Sequence, residues 1–331
     1  MFLIATIYLE TGSTDPHYNL AFEEYVLLNR REGDYLMLWQ NDNAIIIGQN
    51  QNTEAEINRA FAETHGIRVV RRGTGGGAVY HDLGNLNYSF ITDAGDIDHM
   101  AMKRFTDPVV RALSSLGVRA EASGRNDILV EGKKVSGTAQ RLIGGRILYH
   151  GTLLFDANPD MIAGALNADP EKFKSKSTKS VRSRVGNIRE FLPQDMDMRA
   201  FWDYLKSALA EDGITQGSLT DAELDAVKQL QRDKYDTWEW NFGRSPKASM
   251  QAKRRFPGGS VEVLLSVRQG CIEEIAFYGD FLSLSPLDAV REALRGCPFR
   301  REEAAARLSQ LPLAQYFGTV TQDELLSLLF E

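Results

Sequence analysis

Cysteine is nearly absent: 331 residues contain Cys271 and Cys297 and no other. Two thiols exclude a disulfide framework and a cysteine-rich zinc site, and they fit a reducing cytoplasm. Long apolar runs are missing as well. Stretches such as Ala44 to Ile47 fall far short of the ~20 residues a membrane-spanning helix needs. The N-terminal MFLIATIYLE lacks a basic region and a clear cleavage site, so it reads as a first strand and not as a signal peptide. Positive charge is in deficit, with 38 Lys and Arg against 45 Asp and Glu. A net charge of -7 argues against a nucleic-acid partner, whose phosphates require the opposite sign. No internal repeat or low-complexity tract occurs.

What is present describes a globular chain. Hydrophobic residues at 43% and charged residues at 25% are ordinary, and this length suggests two domains. Leu3 to Tyr8, Tyr35 to Trp39, Ala44 to Ile47, Arg68 to Arg71, Leu86 to Phe90, Asp127 to Val130 and Arg146 to Phe155 read as strands. Asn19 to Arg31, Thr53 to Thr64 and His99 to Leu116 read as helices, as do Arg199 to Glu211 and Asp221 to Lys234. Their irregular alternation points to an α+β domain with mixed sheets. The polar, proline-containing stretch Gly243 to Pro257 reads as a boundary, which gives domains 1–245 and 246–331. The smaller one, of mixed α/β content, is expected to hold a hairpin, Ser260 to Val267 with Ile272 to Tyr278, and three short helices. The last of these opens on a Thr321/Glu324 capping box.

The densest motif is RRGTGGGAVYHD, Arg71 to Asp82. Three successive glycines strip the side chains from a short backbone stretch, so its N–H groups can approach a bulky ligand. Two arginines precede it as fixed charge for phosphate or carboxylate. Gly73 to Ala78 formally matches the dinucleotide fingerprint. That fingerprint needs a helix at its end, and here Val79 and Tyr80 lead toward a strand. The pattern alone leaves a glycine-rich hairpin turn open. A second motif, GKKVSGTAQ from Gly132, places Lys134 beside small residues, where it could bridge two anions or merely decorate a hairpin tip. Asp127 in Gly124-Arg125-Asn126-Asp127 could hold a metal ion. His150 stands in HGTLL, where a lone histidine is more often structural. Lys172 to Arg189 carries seven Lys and Arg and no acid, interleaved with Ser and Thr.

Together these segments resemble the two-domain bacterial lipoate–protein ligase A family of the biotin/lipoate ligase superfamily. The matching stretches are DPHYNLA, GQNQN, RRGTGGGAVYHDLG, EASGRND, KVSGTA, HGTLL, SVRSRVGN and WEWNFG, in family order. Thr74 replaces a frequent serine and keeps the hydroxyl. The resemblance implies a large catalytic domain related to the biotin-ligase core, plus a small accessory domain. It implies that lipoate and ATP give lipoyl-adenylate and pyrophosphate, and that a lysine of a lipoyl domain then takes the acyl group. Acceptors would be dehydrogenase E2 subunits or the glycine-cleavage H protein. Lys134 would sit between the two reacting anions as the catalytic cation. Arg72, Thr74, Gly75, Gly76, Gly77, Ala78, Val79, Tyr80, His81, Asn126, Ser136, Gly137, Ala139, His150 and Arg182 would bind lipoate and ATP. Asp127 would hold Mg²⁺, and the basic run would order over the nucleotide. Other readings are a cysteine-dependent octanoyl or lipoyl transferase, a biotin ligase, and a non-catalytic lipoylation scaffold. The first lacks any cysteine before Cys271.

Overall fold

The computed structural model describes residues 6–95, 102–124, 126–166, 184–210, 213–243, 250–268 and 270–330. Arg182, Arg125, His99, the first residues of the N-terminal strand and most of the basic run lie outside them.

Fourteen strands form among the described residues. They are β1 (Thr6–Leu9), β2 (Tyr35–Trp39), β3 (Ala44–Ile47), β4 (Arg68–Arg71), β5 (Val79–His81), β6 (Asn85–Asp93) and β7 (Ala120–Ser123). Then come β8 (Asp127–Val130), β9 (Lys133–Ile143), β10 (Arg146–Leu154), β11 (Ile214–Gln216), β12 (Met250–Phe256), β13 (Gly259–Arg268) and β14 (Cys271–Gly279). Eight build one mixed sheet in the order β11-β1-β2-β6-β10-β9-β8-β7. Strands β4-β3-β5 make a second sheet, and β12-β13-β14 a third. The expected α+β class with mixed sheets is what forms.

One face of the large sheet packs under the helices Met102–Ser115 and Met198–Ala208, around Phe105, Leu113, Phe155 and Phe201. The other face takes the helix Pro16–Asn29, which Asp15 caps by accepting from the amides of His17 and Tyr18. That helix buries Leu20, Ala21, Val26 and Leu27, as expected for core. It also buries Asn19, Glu23 and Glu24, and buried acids demand partners. Residues of β13, β14 and the C-terminal helices form a core of their own around Val263, Phe281 and Phe317.

Several elements depart from expectation. Thr53 to Thr64 is not one helix but two, Thr53–Glu56 and Arg59–Thr64. Ile57 leaves helical geometry to bridge Leu166, and Asn58 restarts the chain by capping the amide of Phe61. The helix from Asp221 ends at Leu230 and widens into a π-turn, Gln231–Tyr235. Met250–Phe256, read as linker, is a strand, because β13 offers it a free edge. Four helices, not three, follow the hairpin: Asp288–Leu294, Arg301–Leu308, Leu313–Phe317 and Gln322–Phe330. The Thr321/Glu324 capping box is present.

Candidate active site

The lysine motif begins at a turn. Glu131 and Gly132 both take positive φ, 50° and 78°, which suits a two-residue hairpin between β8 and β9. This turn presents Lys134 on the first residues of β9, where its Nζ lies 2.7 Å from Asp127 Oδ1 on β8. Asp127, expected as a metal ligand, is thus the counter-ion of Lys134. Val185 bridges Lys134, and the Gly186 amide donates to its carbonyl at 3.0 Å. That contact brings Arg184, the end of the basic run, to the same wall. Arg189 does not join it, being paired with Asp156 and Asp195 on the surface.

The glycine loop is gripped from three sides. No helix opens after it; β5 follows, so the dinucleotide match was accidental. Arg72, fully buried, donates to Thr74 Oγ1, the Ile46 carbonyl and the carbonyls of Gly75 and Gly77. All are neutral oxygens, and burial holds its cation down to about 10. Behind it runs a chain of hydrogen bonds. Thr74 Oγ1 lies 2.8 Å from His150 Nε2, and His150 Nδ1 lies 2.9 Å from Glu23, which accepts from Ser89 at 2.6 Å. Arg71 faces elsewhere. It donates to the carbonyls of Gly48, Gln49, Gln51 and Trp240 and to Thr53 Oγ1. It is therefore a structural clamp and not an anion receptor, contrary to expectation. The clamp also accounts for the GQNQN and WEWN segments, whose backbones it ties together.

Between these two motifs lies a cavity of about 550 Å³. Leu20, Trp39, Ile46, Ala78 and Val79 give it an apolar end. Asn126, Asp127, Lys134, Thr138, Thr152 and Arg184 give it a polar one. Arg72, Gly76, Gly77, His81, Gly137, Ala139 and His150 also line it. Such a slot accepts a ligand with an aliphatic body and an anionic head.

Of the expected binding residues, four stand away from the lining. Tyr80 alternates to the other side of β5, toward Ile45 and Ile57, and donates to Asn43. Ser136 alternates into the core beside Tyr88. Thr74 is enclosed by Arg72 and His150. Gly75 packs on Ser283, where an added Cβ would meet the Ser283 amide at 2.8 Å. The Gly76 amide, expected to point at ligand, donates to the Phe281 carbonyl at 3.2 Å. Trp39, Ile46 and Asn87 were missed because each belongs to a strand that looks like plain core. Leu20 lies in DPHYNLA, a segment already quoted. Arg255 and Asp280 come from the C-terminal part, and no local signal marks them.

Asp127 and Asp280 are the carboxylates on the lining. Asp280 is held by the Ser260 amide and lies 3.6 Å from Arg255. Among the described residues no three His, Cys, Asp or Glu side chains group to hold a metal. This donor set fits a Mg²⁺ ion bound mostly through phosphate oxygens and not a protein cage.

Residues 15–210 match the family model of the lipoyl protein ligase A/B catalytic domain, and residues 245–329 that of the bacterial lipoate protein ligase C-terminus. The chain belongs to the lipoate–protein ligase family. It is an enzyme of the ligase class. The Bacillus subtilis lipoate-protein ligase LplJ is 44% identical over 322 residues, 96% of this chain and 97% of its own. The structure of P. falciparum LipL1 in complex with lipoate shares the fold, with TM-score 0.79, 24% identity, and 92% and 94% of the two chains covered. A Thermoplasma acidophilum bipartite lipoate protein ligase, solved with its E2 lipoyl domain, gives TM-score 0.65 at 31% identity over 74% of this chain and 98% of that one. A lipoate-protein ligase A bound with ATP gives TM-score 0.63 at 30% identity over 72% and 98%. No helix among the described residues of this lipoate–protein ligase is long and apolar enough to cross a membrane.

Proposed function

We propose that this enzyme activates lipoate with ATP and transfers the lipoyl group to a lysine of a lipoyl domain, in a cytoplasm. The observation that carries this reading is one cavity lined by apolar side chains, buried Arg72 and Lys134 together. In the first step a lipoate carboxylate oxygen attacks the α-phosphorus of ATP and pyrophosphate leaves. Two anions must meet, and Lys134 Nζ lowers their repulsion once substrate draws it from Asp127. A preorganised donor of this kind contributes about 3 kcal/mol. In the second step an uncharged lysine amine attacks the acyl carbon and AMP leaves. Mg²⁺ bound to the phosphates would offset their charge, and Asp127 is the residue that would hold it. The chain divides near residue 245 into a catalytic and an accessory part. Arg182 belongs to the segment expected to cover the nucleotide. E2 lipoyl domains are the favoured acceptors, supported by the relative solved with one; H protein is a second candidate. A cysteine transferase fits poorly, since neither Cys271 nor Cys297 lines the cavity. The test is the mass gain of a purified apo lipoyl domain with lipoate and Mg-ATP, alongside pyrophosphate release. Release without acyl transfer would exclude this acceptor, and no release would favour a scaffold.

A further inference from the structure

We propose that Asn41 locks His81 as a neutral Nε2–H donor, and that this hydrogen, with the amide of Asn87, recognises a substrate oxyanion in the cavity. The identity of that oxyanion rests on the function proposed above; the lock does not.

Asn19 Nδ2 lies 3.1 Å from the Ser13 carbonyl and 2.8 Å from the Gln40 carbonyl. Both are acceptors, so the nitrogen of that amide must face them. The same nitrogen donates to Asn41 Oδ1 at 3.0 Å. This leaves Asn41 Nδ2 toward His81 Nδ1, 3.1 Å away. An amide nitrogen only donates, so His81 Nδ1 must accept and the ring hydrogen sits on Nε2. Asn41 is buried completely and His81 almost so.

A second proton on the ring would set Nδ1–H against the Asn41 amide. Burial, Arg72 and His150 oppose it too and hold the imidazole down to about 3. Around it stand Arg72 and His150, with Glu23 engaged by His150 and Ser89. Asp82, next in sequence, is turned to the amides of Gly84 and Asn158. Among the described residues no carboxylate hydrogen-bonds to the ring.

His81 Nε2 and Asn87 Nδ2 are buried without a hydrogen-bond partner among the described residues, and both residues line the cavity. Buried donors are nearly always paired, so this vacancy calls for an acceptor brought by the ligand. With the ring neutral, charge recognition falls to Arg72 and Lys134. Oxyanion affinity is then independent of His81 titration over the ordinary pH range.

The test uses full-length protein labelled with ¹⁵N-histidine, with His81→Gln to assign the signal. We expect the Nε2–H tautomer, unchanged between about pH 5 and 8. Lipoate alone should shift the Nε2 signal if the oxyanion is a carboxylate, and ATP alone if it is a phosphate. An Nδ1–H tautomer, titration in that range, or no shift with either ligand overturns the proposal. Asn41→Asp should reverse the lock, because its carboxylate accepts from Nδ1–H and turns a bare Nε2 lone pair to the substrate. Binding of whichever of lipoate and ATP shifts the Nε2 signal should weaken by about tenfold or more at pH 8 and recover on acidification, where wild type shows no slope. Should Asn41→Asp not fold, His81→Gln, which keeps a donor near Nε2, should bind that same ligand about tenfold better than His81→Asn; equal loss overturns the idea. Failure to lipoylate an acceptor, with the tautomer as stated, would remove the functional reading and leave the lock standing.

Discussion

At the scale of single residues, position along a strand decides what a side chain can do. Lys133 and Lys134 are neighbours, yet Lys133 pairs with Glu190 on the surface while Lys134 enters the cavity beside Asp127. Lys134→Ala should therefore cut lipoate-dependent pyrophosphate release by about a hundredfold or more. Its thermal midpoint should stay close to wild type, since an ion pair this exposed contributes little to stability. Unchanged release would end the role assigned to Lys134. The same alternation separates Val79 and His81, which face the cavity, from Tyr80, which does not. The motif RRGTGGGAVYHD was legible as part of the candidate site, and several of its residues line the cavity. Which of its side chains turn inward was not, because three glycines carry no polarity pattern from which to read a register.

At the scale of elements, one buried acid joins three of them. Glu24 on the helix Pro16–Asn29 accepts from Arg141 of β9 at 2.6 Å and from Lys234 and Tyr235 of the π-turn at 2.6 and 2.8 Å. Burial pushes its carboxyl up, but Lys234 and Arg141 outweigh that and hold it below its ordinary 4.5. A carboxyl depressed in the folded state stabilises above its unfolded value and loses that contribution as pH falls through the folded one. The contribution of Glu24 should thus be flat above about pH 5 and fall in acid, on top of a decline from His81 that begins near its ordinary 6.5. Glu24→Gln leaves buried Arg141 and partly buried Lys234 without their carboxylate and should cost about 3 kcal/mol near neutrality, with a shallower acid decline. Urea midpoints from pH 3 to 7 check both. The widening at Gln231–Tyr235 was unreadable in sequence because it serves this distant acid: the extra residue in the turn brings Lys234 and Tyr235 to Glu24 together.

At the scale of the whole molecule, the C-terminal part closes on the glycine loop through backbone. The Gly279 amide donates to the Asn50 carbonyl at 2.7 Å, the Leu142 amide to the Leu284 carbonyl at 2.8 Å, and Asn50 Nδ2 to Ser283 Oγ at 3.0 Å. An added Cβ at Gly75 meets the Ser283 amide and the Phe281 carbonyl, and neither is a side-chain tip that can swing aside. Gly75→Ala should loosen this contact. The amides of Gly76, Gly279 and Leu142 should lose hydrogen-exchange protection, while those of Val263 and Phe277 in the separate core keep theirs. Composition, hydrophobic period and motif order were enough for the α+β class, the family and the candidacy of Lys134, since each depends on local pattern. Folding alone settled that Arg71 is a clamp, that Asp127 faces Lys134, and that Arg255 and Asp280 reach the cavity. Those outcomes depend on which distant backbone carbonyl, amide or charge arrives beside a side chain, and no local run of residues encodes that arrival.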